Sequence, residues 1–315
     1  MKALLLSDYG GFDNLALHDV PTPQPAANEV LVRLRAAGLN PLDNTLRSGN
    51  MRTMMPLAFP YIPGFDGAGV IEQVGAGVSA FKPGDAVIGM FPIPGNGTLA
   101  EYVLHRNYGP LVAKPEGLSF EKAAALPEAG MTALSAFDAT QVTAGQTFLI
   151  IGATGGIGMY LIQLAVQQGA RVIATAKPQD NDYMRRLGAA DIIDYSAGDA
   201  IAAVQQRYPN GIDVVVDLVN QMERLYHSAT ALRVGGTLVS TLFGPDPSTF
   251  TAKPMTVSYV RLEPNVERLT SLAQDAASGK LRIEIGKTFA LGQAVEALLA
   301  LEQEHILGKI VVTIP

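Results

Sequence analysis

Apolar positions follow two different patterns along the chain, and the change between them divides it. From Met1 to about Gly117, short β-rich runs alternate with Pro/Gly turns, as in Glu29-Val-Leu-Val-Arg-Leu-Arg35, Gly69-Val-Ile-Glu-Gln-Val74 and Asp85-Ala-Val-Ile-Gly89. This spacing predicts a compact antiparallel β domain. From about Leu118, apolar runs at 148–152, 171–176, 191–195, 213–219 and 236–241 alternate with helical stretches. That is the signature of a parallel, doubly wound sheet. After Phe250 the alternation fades through 251–261 into a helix around 266–278 and a last strand at 309–314, a tail expected to return to the first domain. The fold class is therefore α/β, with a β-rich domain over 1–118, a doubly wound domain over 119–254 and a return segment over 255–315. Ligands commonly bind between domains, which is where the site is expected.

The most informative junction is Phe148-Leu-Ile-Ile-Gly-Ala-Thr-Gly-Gly-Ile-Gly158, where an apolar strand runs into a glycine-rich turn. Ile157, Tyr160, Leu161, Leu164 and Ala165 then fall at helical spacing, and Gly169 closes the helix. Glycine at 155 and 158 lets a backbone approach a pyrophosphate and lets the helix pack closely on its strand, with its N-terminus toward the anion. This is a dinucleotide-binding βα junction, although Ala153 stands where the usual fingerprint has its first glycine.

Composition narrows the partners. The chain has 315 residues, 48% of them hydrophobic and 17% charged, which describes an ordinary globular protein. A net charge of −6 without a run of Lys or Arg argues against nucleic acid and against an anionic membrane surface. No stretch is apolar over the roughly 18 residues a membrane-spanning helix needs, and Met1-Lys-Ala-Leu-Leu-Leu6 is too short for a signal peptide. A cytoplasmic location is expected. The absence of cysteine removes disulfides, thiolate nucleophiles and cysteine-based zinc sites. His18, His105, His227 and His305 have no metal-ligand or triad spacing, no Gly-x-Ser-x-Gly elbow occurs, and Asp66 and Asp85 read as turn residues.

Taken together, Gly38-Leu-Asn-Pro-Leu-Asp-Asn-Thr-Leu-Arg-Ser-Gly49, Pro63-Gly-Phe-Asp-Gly-Ala-Gly-Val70, Val74-Gly-Ala-Gly-Val78, Lys82-Pro-Gly-Asp-Ala-Val-Ile-Gly89 and Ala153-Thr-Gly-Gly-Ile-Gly158 resemble the medium-chain dehydrogenase/reductase superfamily. Within it, the zeta-crystallin-like quinone oxidoreductases are most similar. The resemblance continues through Thr132, Leu187-Gly-Ala-Ala-Asp-Ile-Ile-Asp-Tyr195 and Gly308-Lys-Ile-Val-Val312. It implies a Rossmann sheet plus a GroES-like β-rich catalytic domain. At the positions where zinc members of the superfamily carry a cysteine and a histidine, this chain has Asn40 and Phe65. An amide is a poor zinc ligand and a phenyl ring is none, so no metal is expected. Without a Lewis acid, hydride transfer needs an acceptor already electron-poor, such as a quinone or an α,β-unsaturated carbonyl.

The same resemblance assigns the site residues. The second strand of the parallel sheet, Arg171 to Ala176, ends in alanine where an NAD-binding fold usually places an acidic residue, and Lys177 follows. It implies that Lys177 and Tyr195 clasp a ribose 2′-phosphate with Thr175 nearby, making NADPH the expected cofactor. Ala153, Thr154, Gly155, Gly156, Ile157 and Gly158 would line the dinucleotide, and Thr132, Phe243 and Lys309 would contact it. Asn40 would sit beside the nicotinamide. Thr45, where relatives often carry tyrosine, is a candidate hydroxyl donor, while Asp43 and Arg47 could pair with each other. The Met-rich loop from Asn50 to Tyr61 suits a tolerant apolar pocket or ordinary packing. An enone or enoyl reductase, and a cofactor-binding protein without turnover, are the alternative readings. A homodimer is expected through the apolar stretch from Thr237 to Leu242.

Overall fold

The computed structural model describes residues 1–93, 95, 97–106 and 109–315. They form two compact units, Met1–Ala129 with Pro264–Pro315 and Gly130–Glu263.

The first unit begins with a hairpin-like pair, β1 (Lys2–Leu6) and β2 (Leu15–Asp19), followed by β3 (Val30–Gly38) and helix α1 (Pro41–Ser48). Strands β4 (Asp66–Val74), β5 (Ala86–Met90), β6 (Tyr102–His105) and β7 (Leu111–Ala113) follow, then α2 (Phe120–Ala124) and α3 (Pro127–Thr140), within which the unit boundary falls. Glycines in the recurring Gly-x-Gly segments answer to close backbone approach. A Cβ on Gly69 would lie 2.1 Å from the Arg33 carbonyl, and one on Gly75 would lie 1.9 Å from that of Ala26.

The second unit contains β8 (Thr147–Ile151), α4 (Gly156–Gln167), β9 (Arg171–Ala176), α5 (Asn181–Leu187), β10 (Asp191–Asp194), α6 (Ala200–Arg207), β11 (Ile212–Asp217), α7 (Arg224–Ala229), β12 (Leu232–Ser240) and β13 (Met255–Tyr259). Its six strands lie in the order β10-β9-β8-β11-β12-β13, all parallel. The order reverses between β8 and β11, so the carboxyl ends of these two strands flank a topological switch point. Leu149, Ile173, Val215 and Leu238 from four adjacent strands fill its core. Two expectations change here. The segment after Phe250 contributes β13 to the parallel sheet before the chain leaves, and Thr237–Ser240 is interior, paired on both sides by β11 and β13. The end strand on that side is β13.

Helix α8 (Val266–Ala277), β14 (Ile285–Ala290), α9 (Ala294–Gln303) and β15 (Lys309–Thr313) complete the first unit. Its main sheet runs β14-β15-β3-β4-β5-β7, with β6 also on β3. Every pairing is antiparallel except β14 with β15. Val32, Leu34, Ile71, Leu298 and Val312 share its core.

Candidate active site

The glycine-rich turn is built by steric exclusion. Gly152 leaves β8 with φ of +87°, in the left-handed region where a side chain is strained. A Cβ on Gly158 would lie 2.5 Å from the Gly152 carbonyl and 2.6 Å from that of Ala153, so α4 packs on the turn only because residue 158 has no side chain. Gly155 differs. It is the N-cap of α4 with ordinary extended backbone, and nothing lies nearer than 3.7 Å to a Cβ built there. Ala153 and Thr154 are buried beneath the turn, whereas Gly155, Gly156 and Ile157 are partly open. No acidic residue occupies the first turn of α4, leaving its amino-terminal field available to an anion.

Thr175 is buried and tied to this turn. Its hydroxyl donates to the Ile150 carbonyl (3.2 Å) and accepts from the Gly152 amide (3.1 Å). It therefore shapes the turn from the neighbouring strand. Asp194 pairs with Ala176 in register, which makes Lys177 and Tyr195 the first residues past the ends of adjacent strands β9 and β10. Lys177 is half-buried and has no ion pair among the described residues. Tyr195 is 38% exposed, and desolvation followed by the Asp180 and Asp194 charges pushes its phenol up. Phe243 lies past β12 and is largely exposed, its carbonyl accepting from the Met222 amide (3.1 Å). Thr132 is buried in α3. Asp217, overlooked in the sequence, ends β11 fully buried and accepts from the Val219 and Asn220 amides, Asn220 Nδ2 and Ser228 Oγ. It fixes the loop beside the switch point.

In the first unit, Asn40 and Lys309 meet inside a buried polar cluster. Pro41 at the first helical position and Gly49 with φ of +81° bracket α1, and the Asn40 amide donates to Asp43 Oδ2 at 2.8 Å. The Asn40 side chain is 1% exposed and turns elsewhere: Nδ2 donates to Asp66 Oδ2 at 2.9 Å, and Oδ1 accepts from Lys309 Nζ. Lys309 also donates to the Leu39 carbonyl at 2.7 Å. Asp66 takes two further contacts from the Glu128 amide, at 3.2 and 3.1 Å. Far from being a turn residue, Asp66 opens β4 and is fully buried. Burial raises the carboxyls of both Asp43 and Asp66 well above the ordinary carboxylate range, opposed by Lys309 and the donors and reinforced by the Glu128 charge. Burial, and then Asp43, likewise push the Tyr61 phenol up.

Asp43 and Arg47 do not pair. Arg47 bonds to Asn44 Oδ1 (3.0 Å), the Gly10 carbonyl and Glu302 (2.7 Å), with its guanidinium 3.9 Å above the Phe12 ring. The Asn44 side chain donates to the Leu298 carbonyl at 2.8 Å, so α1 is pinned to α9. The Thr45 hydroxyl donates back to the Pro41 carbonyl at 3.0 Å. In the Met-rich loop, Leu57 and Phe59 pack against the core while Met54 is largely exposed.

Comparison with known proteins identifies this arrangement. An alcohol dehydrogenase GroES-like domain model matches residues 26–116, and a zinc-binding dehydrogenase model matches residues 187–312. A chloroplast envelope quinone oxidoreductase homolog of Arabidopsis thaliana is 33% identical, over 99% of this chain and 98% of that protein. The chain belongs to the quinone oxidoreductase family of medium-chain dehydrogenases/reductases. Another member from Arabidopsis thaliana, a chloroplastic NADPH-dependent alkenal/one oxidoreductase, is 32% identical over 99% of this chain and 79% of its own length. The Escherichia coli quinone oxidoreductase complexed with NADPH superposes with a TM-score of 0.88 at 25% identity, over 99% of this chain and all of that one.

Zinc, which the name of one matching model implies, does not fit the residues present. Phe65 offers no donor, and the Asn40 amide is held between a lysine ammonium and a carboxylate. Among the described residues, no group of three or more His, Asp or Glu is arranged to hold a metal ion, and no helix is long and apolar enough to cross a membrane.

Proposed function

We propose that this protein is an NADPH-dependent, zinc-independent oxidoreductase that reduces a quinone. The observation that carries the reading is the edge formed by the turn 152–158 and the ends of β9 and β10: a cradle kept open at Gly155, no acid at Ala176, and an unpaired Lys177 beside Tyr195. An acid at the end of β9 would repel a 2′-phosphate, whereas an ammonium attracts one. Family membership and the NADPH-dependent and quinone-reducing relatives support the same cofactor and acceptor. NADPH, when bound, supplies the hydride. Gly155, Gly156 and Ile157 would face its pyrophosphate, Lys177 and Tyr195 its 2′-phosphate, Asn40 and Thr132 are the candidates for its nicotinamide side, Phe243 for a further cofactor contact and Thr45 for a hydroxyl donor to the acceptor.

A second reading, reduction of a conjugated C=C bond, is favoured by the alkenal/one oxidoreductase among the relatives. Self-association through the edge of β13 would extend the parallel sheet across a homodimer. Oxidation of NADPH followed with phenanthrenequinone, an α,β-unsaturated ketone and an enoyl thioester, with NADH as control, tests the assignment. Quinone-dependent turnover is expected. Preference for the ketone or thioester would transfer the assignment to the second reading, and NADPH binding without turnover on any acceptor would refute both.

A further inference from the structure

Asp43, Asp66 and Lys309 bring two carboxyls and one ammonium into the interior of the first unit, each at most 4% exposed, and the half-buried Glu128 carboxyl acts on both aspartates with the same sign. With every carboxyl ionised, the buried set carries at least one uncompensated negative charge, a costly state that a bound proton relieves. Donor geometry says where that proton resides. Asp66 accepts from Asn40 Nδ2 and from the Glu128 amide on both oxygens, an arrangement that favours the carboxylate. Asp43 accepts from the Asn40 backbone amide through Oδ2, with the Gly64 backbone amide a weaker influence on the same carboxyl, while Oδ1 is buried and makes no hydrogen bond of full geometry.

The Asn40 amide reads this charge pattern. An ammonium can only donate and a carboxylate can only accept, so Oδ1 must face Lys309 and Nδ2 must face Asp66; the reverse orientation would lose both bonds. One Nδ2 hydrogen remains uncommitted. We infer that Lys309 is a positioning residue that acts through Asn40 and makes no cofactor contact, and that Asp43 and Asp66 beside it share a single proton at neutral pH. This differs from the cofactor contact expected of Lys309 from the sequence. Its positioning role rests on the proposed function, whereas the proton count does not.

The groups facing the pair are Lys309 from β15, Glu128 from α3, Asn40 from the start of α1, and Tyr61, whose phenol is raised partly by Asp43. A proton kept by the native state and absent from the unfolded chain makes the folding equilibrium constant fall tenfold per pH unit as pH rises between about 5 and 7. Urea unfolding of the full chain without cofactor, at a series of pH values, reads this directly. Asp43→Asn and Asp66→Asn should each remove one tenfold-per-unit slope relative to wild type, because either substitution leaves one carboxyl opposite one ammonium. Lys309→Met should add a slope, since two carboxyls without a cation hold two protons. Lys309→Arg should match wild type, and it carries the test if Lys309→Met does not fold.

The dissociation constant for NADPH, followed by quenching of nicotinamide fluorescence, should be unchanged in Lys309→Met, while quinone turnover falls and Lys309→Arg restores it. An Asp43→Asn slope equal to that of wild type would overturn the shared proton. A tenfold weaker NADPH affinity in Lys309→Met with a wild-type pH slope would overturn the positioning role and return Lys309 to the cofactor. Failure of wild-type turnover would count against the proposed function alone, because the slopes are read without substrate.

Discussion

The turn between β8 and α4 contains two glycines that should respond oppositely to the same substitution. In Gly158→Ala the new Cβ falls 2.5 Å from the Gly152 carbonyl, against about 3.4 Å for ordinary contact, so helix and strand must separate by roughly 0.9 Å. Both obstructing groups are backbone, and Met159, Tyr160 and Leu161 on the same helix are fully buried, so no flexible side chain can absorb the shift. Overpacking of this kind costs about 1–3 kcal/mol, or several degrees in the melting temperature of a unit this size. Gly155→Ala meets nothing within 3.7 Å and needs no unusual φ, so its stability should stay within about 0.5 kcal/mol of wild type. A methyl there would nevertheless occupy space the pyrophosphate needs, and a loss of about 1–2 kcal/mol would weaken NADPH binding roughly 5- to 30-fold. Thermal unfolding and fluorescence titration, run on both variants, separate the two effects. Wild-type NADPH affinity in Gly155→Ala would refute the cradle, and wild-type stability in Gly158→Ala would refute the packing argument.

Lys177→Ala should weaken NADPH binding about tenfold and leave NADH nearly unchanged; equal losses for both would defeat the 2′-phosphate assignment. Arg47→Ala removes a buried guanidinium with three polar partners and a ring beneath it, and should cost about 2–4 kcal/mol in urea unfolding. Burial raises the native Asp43 carboxyl, so the proton held beside it confers stability that is complete below about pH 4 and lost as pH rises toward neutrality. The loss runs at about 1.4 kcal/mol per pH unit, and Asp43→Asn should abolish it if it preserves the contact to the Asn40 backbone amide.

The parallel sheet could be read from the sequence because its strands are continuous apolar runs, and the turn because close packing of helix on strand requires glycine at 158. Strand β13 was hidden: Met-Thr-Val-Ser-Tyr has the mixed exposure of a strand at the sheet's end and no buried run to announce it. In the first unit, Asn40 was legible from its register in the family, whereas Asp66 was misread because acid beside glycine usually marks a turn. The missed signal was the uncharged run that follows it, Gly67 to Gly69 and then Ile71 continuing a buried strand. Lys309 sits in an apolar strand where only the opposing carboxylates, distant in sequence, explain a charge. Such clusters depend on tertiary pairing and leave little local trace.

The bond from the Gly152 amide to the Thr175 hydroxyl places coenzyme grip on the same short segment as coenzyme preference. The hydroxyl that holds the first turn in shape stands two residues before Lys177, on the segment one would rewrite to favour NADH. Inserting an acid at the end of β9 while exchanging Thr175 would alter charge recognition and loosen the loop at once. A redesign that keeps Thr175 and changes only Ala176 and Lys177 is the route by which this scaffold can change its coenzyme without losing its hold on either.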